Sequence, residues 1–201
     1  MKQALYIDCC IRGEASRTKK LAEAFFAALP EAWQVTAVNL MEENLRPLSG
    51  EFFDRREALL NSGRTDDPRF DRARELAAAD LIVIAAPFWD MSFPALLKVY
   101  IENVSVEGIT FRSTAEGLKG LCAAERCVFL TTRGGAYPAG DPLEQAVPYL
   151  RAIQMFFGIG ALTCVAADGL DLDGADPEAL LADACAEAAA LARTLVPSET
   201  L

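Results

Sequence analysis

The stretch from Leu81 to Pro94 constrains the fold of this chain more than any other. Its first six residues, Leu-Ile-Val-Ile-Ala-Ala, form a short apolar run that contains several β-branched side chains. Such a run predicts a strand buried on both faces of a sheet, and it is too short to span a membrane. Pro87 must end the strand, because proline cannot donate to a sheet ladder. Pro94 then suits the first turn of a helix that we expect to end near Val104.

The loop between this strand and this helix carries apolar side chains where a surface loop is normally polar. Phe88, Trp89, Asp90 and Met91 follow the predicted end of the strand directly. Ligands of open parallel sheets bind beyond the carboxyl ends of the strands. The loop is therefore a candidate site for a flat aromatic ligand, although a cap on the core or a dimer interface would use the same residues.

Five strand patterns alternate with helical patterns along the chain. The predicted strands are residues 3–7, 33–40, 81–86, 127–131 and 161–167, and the predicted helices are 16–29, 52–60, 69–79, 94–104, 147–157 and 177–195. Residues 107–117 have no strong period and predict a loop or a hairpin. The alternation predicts an α/β fold, a doubly wound five-stranded parallel sheet of order 2-1-3-4-5. We expect residues 1–201 to form a single domain with a frayed tail at about 196–201.

The loop after the first strand leads into a helix whose start is suited to an anion. Ser16 is a good N-cap, and Arg17 and Thr18 stand in the first turn of the helix. Positive charge there opposes the helix dipole unless an anion binds at the same place. A phosphate would satisfy the exposed N–H groups and the basic side chains together, whereas an ordinary capped helix with a basic first turn is the more frequent explanation.

The loop after the fourth strand contains paired glycines. Thr132 and Arg133 precede Gly134 and Gly135. Glycines let backbone N–H groups approach a ligand closely, and an arginine adds a fixed positive charge. Taken alone, this segment predicts a tight turn.

Composition excludes several classes of function. The net charge of −10 argues against nucleic acids and anionic membranes as partners. The absence of histidine removes the usual catalytic triads and the commonest metal ligand. The six cysteines show no CxxC spacing, so we expect no metal site, and without a secretion signal they indicate reduced thiols in the cytoplasm. The chemistry is therefore expected to come from a bound cofactor.

The three candidate loops meet at one place in the predicted fold. In a sheet of order 2-1-3-4-5, the loops after strands one, three and four converge at the point where the strand order reverses. A phosphate-binding helix start, an aromatic loop and a Gly-Gly turn together predict a binding site for flavin mononucleotide (FMN).

Four motifs then resemble one family. Ala-Pro-Phe-Trp-Asp-Met, Leu-Lys-x-Tyr, Gly-Ile-Thr-Phe-Arg-Ser-Thr-x-x-Gly and Thr-Thr-Arg-Gly-Gly, in this order, are similar to motifs of the FMN-dependent NADH-azoreductases, which belong to the flavodoxin-like NAD(P)H:quinone oxidoreductases. The resemblance implies a homodimer with one FMN per subunit near the interface. It implies that the FMN phosphate is bound by Ser16, Arg17 and Thr18. It implies that one edge of the flavin ring is lined by Phe88, Trp89, Asp90 and Met91, and the pyrimidine side by Thr132, Arg133, Gly134 and Gly135.

Two positions depart from the pattern of that family. Asp90 stands where these proteins have an asparagine, which removes two N–H donors and adds a charge that should lower the flavin potential. Cys10, a further expected cofactor-binding position, stands where they have a serine and is a poorer phosphate ligand.

The sequence thus predicts an FMN-dependent NAD(P)H oxidoreductase in the cytoplasm. It would pass two electrons from NADH or NADPH to quinones or azo compounds by ping-pong hydride transfer, with no side chain acting as an acid, base or nucleophile. Two alternatives stay open. One is a flavin-binding electron carrier or redox sensor, in which the vicinal Cys9-Cys10 pair could take part, and the other is a flavodoxin-like protein that has lost FMN binding.

Overall fold

The computed structural model describes residues 1–196, which form a parallel sheet with helices on both faces. In chain order the elements are β1 (Lys2–Asp8), α1 (Arg17–Ala28), β2 (Trp33–Asn39), α2 (Gly50–Asn61), α3 (Asp71–Ala78), β3 (Leu81–Ala85), α4 (Ala95–Val104), β4 (Phe111–Thr114), β5 (Gly117–Gly120), β6 (Arg126–Thr132), α5 (Ala146–Phe157), β7 (Ala161–Ala167) and α6 (Pro177–Thr194). The main sheet has the order β2-β1-β3-β6-β7, and all its pairs are parallel. The predicted fold class and strand order are confirmed.

The central strand β3 is buried along its whole length between β1 and β6. Its register aligns Val83 with Tyr6 on β1 and with Val128 on β6. Side chains alternate between the two faces of a strand, so β3 supplies both halves of the core. This explains why its sequence is continuously apolar rather than alternating.

Different helices cover the two faces of the sheet. On one face, Val83 and its neighbours pack against α1 and α6. Ala184, Ala188 and Ala192 recur every fourth residue on α6, are all buried, and let the helix lie close to the sheet. On the other face, Ile82 and its neighbours pack against α3, α4 and α5. The carboxyl ends of the strands stay free to carry loops.

Most predicted boundaries agree with the structure, and two segments differ. The predicted helix over 69–79 begins as a 3₁₀ turn at Pro68–Phe70, because Asp67 accepts a hydrogen bond from the Arg69 N–H, and α3 starts only at Asp71. Residues 107–117, predicted as a loop or hairpin, belong to an antiparallel hairpin of β4 and β5 that extends to Gly120. Residues 197–201, all but the first of the predicted frayed tail, lie outside the described part. No helix in residues 1–196 is long and apolar enough to cross a bilayer.

Candidate functional site

A cavity of about 320 Å³ lies at the carboxyl edge of the sheet. Its lining comes from the segments that follow β1, β3, β6 and β7, which meet where the strand order reverses. The lining residues are Arg12, Ala15, Ser16, Arg17, Thr18, Pro87, Phe88, Trp89, Asp90, Met91, Thr132, Gly134, Gly135, Tyr137 and Asp171. Ten of the twelve residues predicted from the sequence are among them, and Cys10 and Arg133 are not.

The start of α1 offers backbone donors to this cavity. The Ser16 hydroxyl accepts a hydrogen bond of 3.4 Å from the Lys19 N–H, which caps the helix as predicted. The N–H groups of Arg17 and Thr18 have no acceptor among residues 1–196. Two unsatisfied donors at the positive end of a helix favour an anion such as a phosphate.

Two arginines add positive charge at the same place. The Arg17 guanidinium donates to both carboxylate oxygens of Asp171, at 2.9 and 3.2 Å. Hydrogen bonding from Arg17 holds the pKa of Asp171 below its usual range. Arg12 also lines the cavity, and within the described chain it forms no ion pair. An incoming anion would therefore meet one paired and one unpaired guanidinium.

The loop after β3 forms a tight turn at the cavity. Trp89 and Ser92 exchange backbone hydrogen bonds of 3.2 and 2.8 Å, and both residues between them are left-handed, with φ of 49° at Asp90 and 63° at Met91. Left-handed pairs are typical of type I′ turns and cost an ordinary side chain about 1 kcal/mol each. The Gln145 N–H donates to the Met91 carbonyl at 2.9 Å, which holds the turn in place.

This turn presents apolar surface to solvent. Trp89 is 40% exposed and Met91 is 43% exposed, although both are large apolar side chains. Phe88, just before the turn, is partly buried and packs on Tyr137 with ring centroids 4.8 Å apart. These aromatic faces give the cavity the walls that a flat conjugated ligand requires.

The Gly-Gly segment after β6 is held by its carbonyl groups. The Gly134 carbonyl accepts from the Asp171 N–H and the Gly135 carbonyl from the Gly169 N–H, both at 3.0 Å. The N–H groups of the two glycines have no acceptor among the described residues. A Cβ at Gly134 would lie 2.5 Å from the Asp171 carboxylate, so only glycine fits there without a shift. The segment can therefore donate hydrogen bonds to the edge of a ligand.

The side chain of Arg133 lies behind the Gly-Gly segment and does not line the cavity. Its side chain is only 6% exposed and sits 3.5 Å from carboxylate oxygens of both Glu144 and Asp168. The guanidinium carbon is 5.5 Å from the centre of the Phe88 ring. Burial raises the pKa of Asp168 although the arginine opposes that change. The side chain joins three loops behind the wall of the cavity, so any direct contact of Arg133 with a ligand would have to come from its backbone.

Cys10 is also separated from the cavity. It is fully buried against Ala85, and burial raises the pKa of its thiol well above the usual range. The neighbouring Cys9 is fully buried as well, with its pKa raised to about 12. Reactive thiols need a lowered pKa and access to solvent, so these features argue against a redox role for the pair.

The sequence analysis missed three side chains that shape the cavity. Tyr137 follows the Gly-Gly pair by two residues, and Arg12 lies in the loop after β1, so both were within reach of the loops already singled out. Asp171 follows β7, whose loop had drawn no attention because the fifth strand lies farther from the reversal of strand order. The only signal for Asp171 would have been an acid placed just beyond a strand end.

A doubly wound sheet of this order with a cavity at its reversal point is the arrangement of flavodoxin-like proteins. The family model described as flavodoxin-like fold matches residues 2–192, and the chain belongs to this family. A relative from Clostridium perfringens, named FMN-dependent NADH:quinone oxidoreductase, is 36% identical over 198 residues, covering 96% of this chain and 99% of that protein. A relative from Clostridium acetobutylicum, named FMN-dependent NADH:quinone oxidoreductase 2, is 36% identical over 187 residues, covering 90% of this chain and 93% of that protein.

Solved structures agree with this assignment. The azoreductase from Bacillus anthracis strain Sterne superposes with a TM-score of 0.84 at 27% identity, over 97% of this chain and all of that one. An FMN-dependent NADH-azoreductase from Bacillus anthracis strain Ames Ancestor, solved in complex with FMN, also has a TM-score of 0.84. At 21% identity and with 98% of this chain covered, the second comparison supports the fold alone.

Proposed function

We propose that this protein is an FMN-dependent NAD(P)H oxidoreductase that passes two electrons from the nicotinamide to a quinone or an azo compound. The observation that carries the proposal is the single cavity that joins the start of α1, the aromatic turn and the Gly-Gly segment. The names of the relatives from the two clostridia support both the cofactor and the class of acceptor.

The groups around the cavity fit FMN. Free N–H groups and two guanidinium groups stand at the start of α1, which suits a phosphate. Phe88, Trp89 and Tyr137 supply aromatic surface for the flavin ring. The unengaged N–H groups of Gly134 and Gly135 suit the carbonyl edge of that ring. We therefore assign phosphate binding to the residues of α1 and ring binding to the other two segments.

FMN held by these segments would supply the redox chemistry, a two-electron hydride transfer between the nicotinamide and the acceptor. The protein binds and orients the reactants, and we assign no acid, base or nucleophile to any side chain. The N–H groups of Gly134 and Gly135 are fixed dipoles whose carbonyls are already held, so they can stabilise negative charge without rearranging. In the proposed ping-pong cycle, nicotinamide and acceptor use the same place in turn beside Trp89 and Met91.

We further propose that the chain forms a single domain, acts as a homodimer and resides in the cytoplasm. The exposed apolar surface of Trp89 and Met91 supports the homodimer, because a second subunit would cover it. Sedimentation of the purified protein measures this directly, and a monomer at all concentrations would contradict it.

The first test is a visible absorption spectrum recorded after adding FMN and desalting. We expect the flavin bands to remain with the protein, to bleach when NADH or NADPH is added, and to return when a quinone follows. A protein that retains no flavin and oxidises neither nicotinamide with any quinone would overturn the proposal.

A matched pair of variants then tests the location of the flavin. Trp89 and Phe53 are both 40% exposed, but only Trp89 lines the cavity. Trp89→Ala should weaken FMN binding by about 1 kcal/mol, or about fivefold, because a stacking partner is lost. Phe53→Ala on α2 should leave the affinity unchanged. Fluorescence quenching of FMN measures both, and equal losses would place the flavin elsewhere.

A further inference from the structure

The ion pair of Arg17 and Asp171 stands at the anion-binding end of the cavity. Both terminal nitrogens of Arg17 are used by the two oxygens of Asp171, at 2.9 and 3.2 Å. The side chains are 34% and 63% exposed, so solvent and salt screen the pair and it adds little to the stability of the fold. The ion pair lies beside the free N–H groups of α1, so it bears on the binding of an anion rather than on the stability of the fold.

The backbone of Asp171 is held in place by the turns around it. The Asp171 N–H donates to the Gly134 carbonyl at 3.0 Å, and its side chain lies over the Gly134 Cα, where a Cβ would be 2.5 Å from the carboxylate. The following residues form turns closed by Leu172 to Gly169 and Ala175 to Leu172 hydrogen bonds of 3.2 and 3.1 Å. A negative charge therefore borders the place where we expect a phosphate to bind.

A phosphate bound at the start of α1 must compete with this carboxylate. Asp171 occupies the end of the Arg17 guanidinium that carries both terminal nitrogens, so a phosphate could use only the remaining edge, which carries the Nε–H. A phosphate in this cavity would also be repelled by the like charge of the Asp171 carboxylate. Arg12, which forms no ion pair in residues 1–196, is the guanidinium that remains free.

We propose that Asp171 limits the affinity of this site for phosphate esters by holding Arg17, and so sets how strongly the protein prefers FMN to riboflavin. The inference rests on the proposed flavin site and extends it, because it assigns a specificity-determining role to a residue of the β7 loop. The carboxylate keeps FMN binding weaker than the basic helix start alone would make it.

The test compares Asp171→Asn with the protein itself, using FMN and riboflavin as probes in fluorescence titrations at low and high salt. Asparagine keeps the shape and removes the charge. We expect FMN to bind about three- to tenfold more tightly to the variant at low salt, with a smaller gain at high salt. Riboflavin, which lacks the phosphate, should bind both proteins equally. Asp173→Asn, an exposed change two residues further on, should alter neither affinity.

Arg17→Met supplies the second half of the test. If Arg17 is held back from the ligand by Asp171, Arg17→Met should weaken FMN binding more in the Asp171→Asn background than in the original protein. Equal losses in the two backgrounds would overturn the inference. An unchanged or weaker FMN affinity in Asp171→Asn would overturn it as well, and so would a parallel change for riboflavin, which would indicate a displaced loop.

Inorganic phosphate separates a failure of this inference from a failure of the proposed function. If no variant binds either flavin, the proposed function fails, and the shift of the melting temperature by inorganic phosphate becomes the deciding measurement. A larger shift for Asp171→Asn than for the original protein would support the role of Asp171 at an anion site. Equal shifts would overturn it.

Discussion

Thr18 on α1 and Thr132 at the end of β6 share a hydrogen bond between their hydroxyl oxygens, which lie 2.6 Å apart. Both side chains are buried. The bond joins the start of the anion-binding helix to the strand that carries the Gly-Gly segment. Two of the four segments around the cavity are thus fixed to each other before any ligand binds, which lowers the ordering cost of binding.

Valine substitutions should show how much this bond contributes to stability. Thr18→Val or Thr132→Val keeps the side-chain shape but leaves one buried hydroxyl without a partner, so each should lower the free energy of unfolding by about 1 to 2 kcal/mol. The double variant should lose less than the sum, because donor and acceptor leave together. Chemical denaturation measures all three.

Thr131 provides the control for this series. It is fully buried, and its hydroxyl has no hydrogen-bond partner in the described part of the chain. Thr131→Val should therefore leave the free energy of unfolding unchanged or raise it. A loss as large as that of Thr18→Val would show that volume, and not the hydrogen bond, determines the effect.

The left-handed turn at Asp90 and Met91 predicts that glycine at position 91 stabilises the protein. Met91→Gly removes the steric cost of a φ of 63° and should raise the free energy of unfolding by about 0.5 to 1 kcal/mol in the flavin-free protein. Met155→Gly, at an exposed position within α5, should lower it by a similar amount, because glycine is a poor helix former. A loss in both variants would contradict the left-handed conformation at Met91.

The raised pKa of Asp168 predicts how the free energy of unfolding depends on pH. Burial raises its pKa above the ordinary 3.8, so the folded protein binds this proton more tightly than the unfolded chain. The ionised carboxylate therefore costs stability at neutral pH, and the cost disappears below pH 3.8, where both states are protonated. Asp168→Asn should be more stable than the original protein at pH 7, by less than about 1 kcal/mol because the side chain is partly exposed.

Denaturation at several pH values measures this difference, which should shrink as the pH falls. Asp183→Asn, an exposed change on α6, should give no such trend. A larger loss for Asp168→Asn at neutral than at acid pH would mean that the pairing with Arg133 outweighs the burial of the carboxylate.

The sheet could be predicted because its inner strands β3 and β6 are short apolar runs with a clear start and stop. β3 ends at Ala85, one residue before the predicted end and two before Pro87, and the candidate binding loop follows closely. The hairpin of β4 and β5 could not be placed from its own residues. A Cβ at Gly120 would come within 2.0 Å of the backbone of Gly158, so the end of the hairpin is set by packing on α5 and not by local pattern.

The sequence was enough to predict which segments form the site. It was not enough to predict the direction in which every side chain points. Arg133 was expected to face the cofactor because it adjoins the glycine pair. Its side chain turns inward because Glu144 and Asp168, which follow later in the chain, offer it one buried and one partly exposed carboxylate. The sequence around Arg133 contains no pattern that predicts a contact with residues so far along the chain. Asp171 was missed for the same reason.

The surroundings of the cysteines would matter under the proposed function, in which the protein reduces quinones. Quinones are electrophiles and add to thiolates, so an enzyme that reduces them risks being arylated by its own substrate. None of the six cysteines lines the cavity. Burial raises the pKa of Cys9, Cys122, Cys127 and Cys164 to about 12, which leaves about a thousandfold less thiolate at neutral pH than an ordinary value of 9.0. The fold thus keeps these four thiols protonated at neutral pH and away from the cavity, and under the proposed function the protein should survive many turnovers without a protective thiol in the buffer.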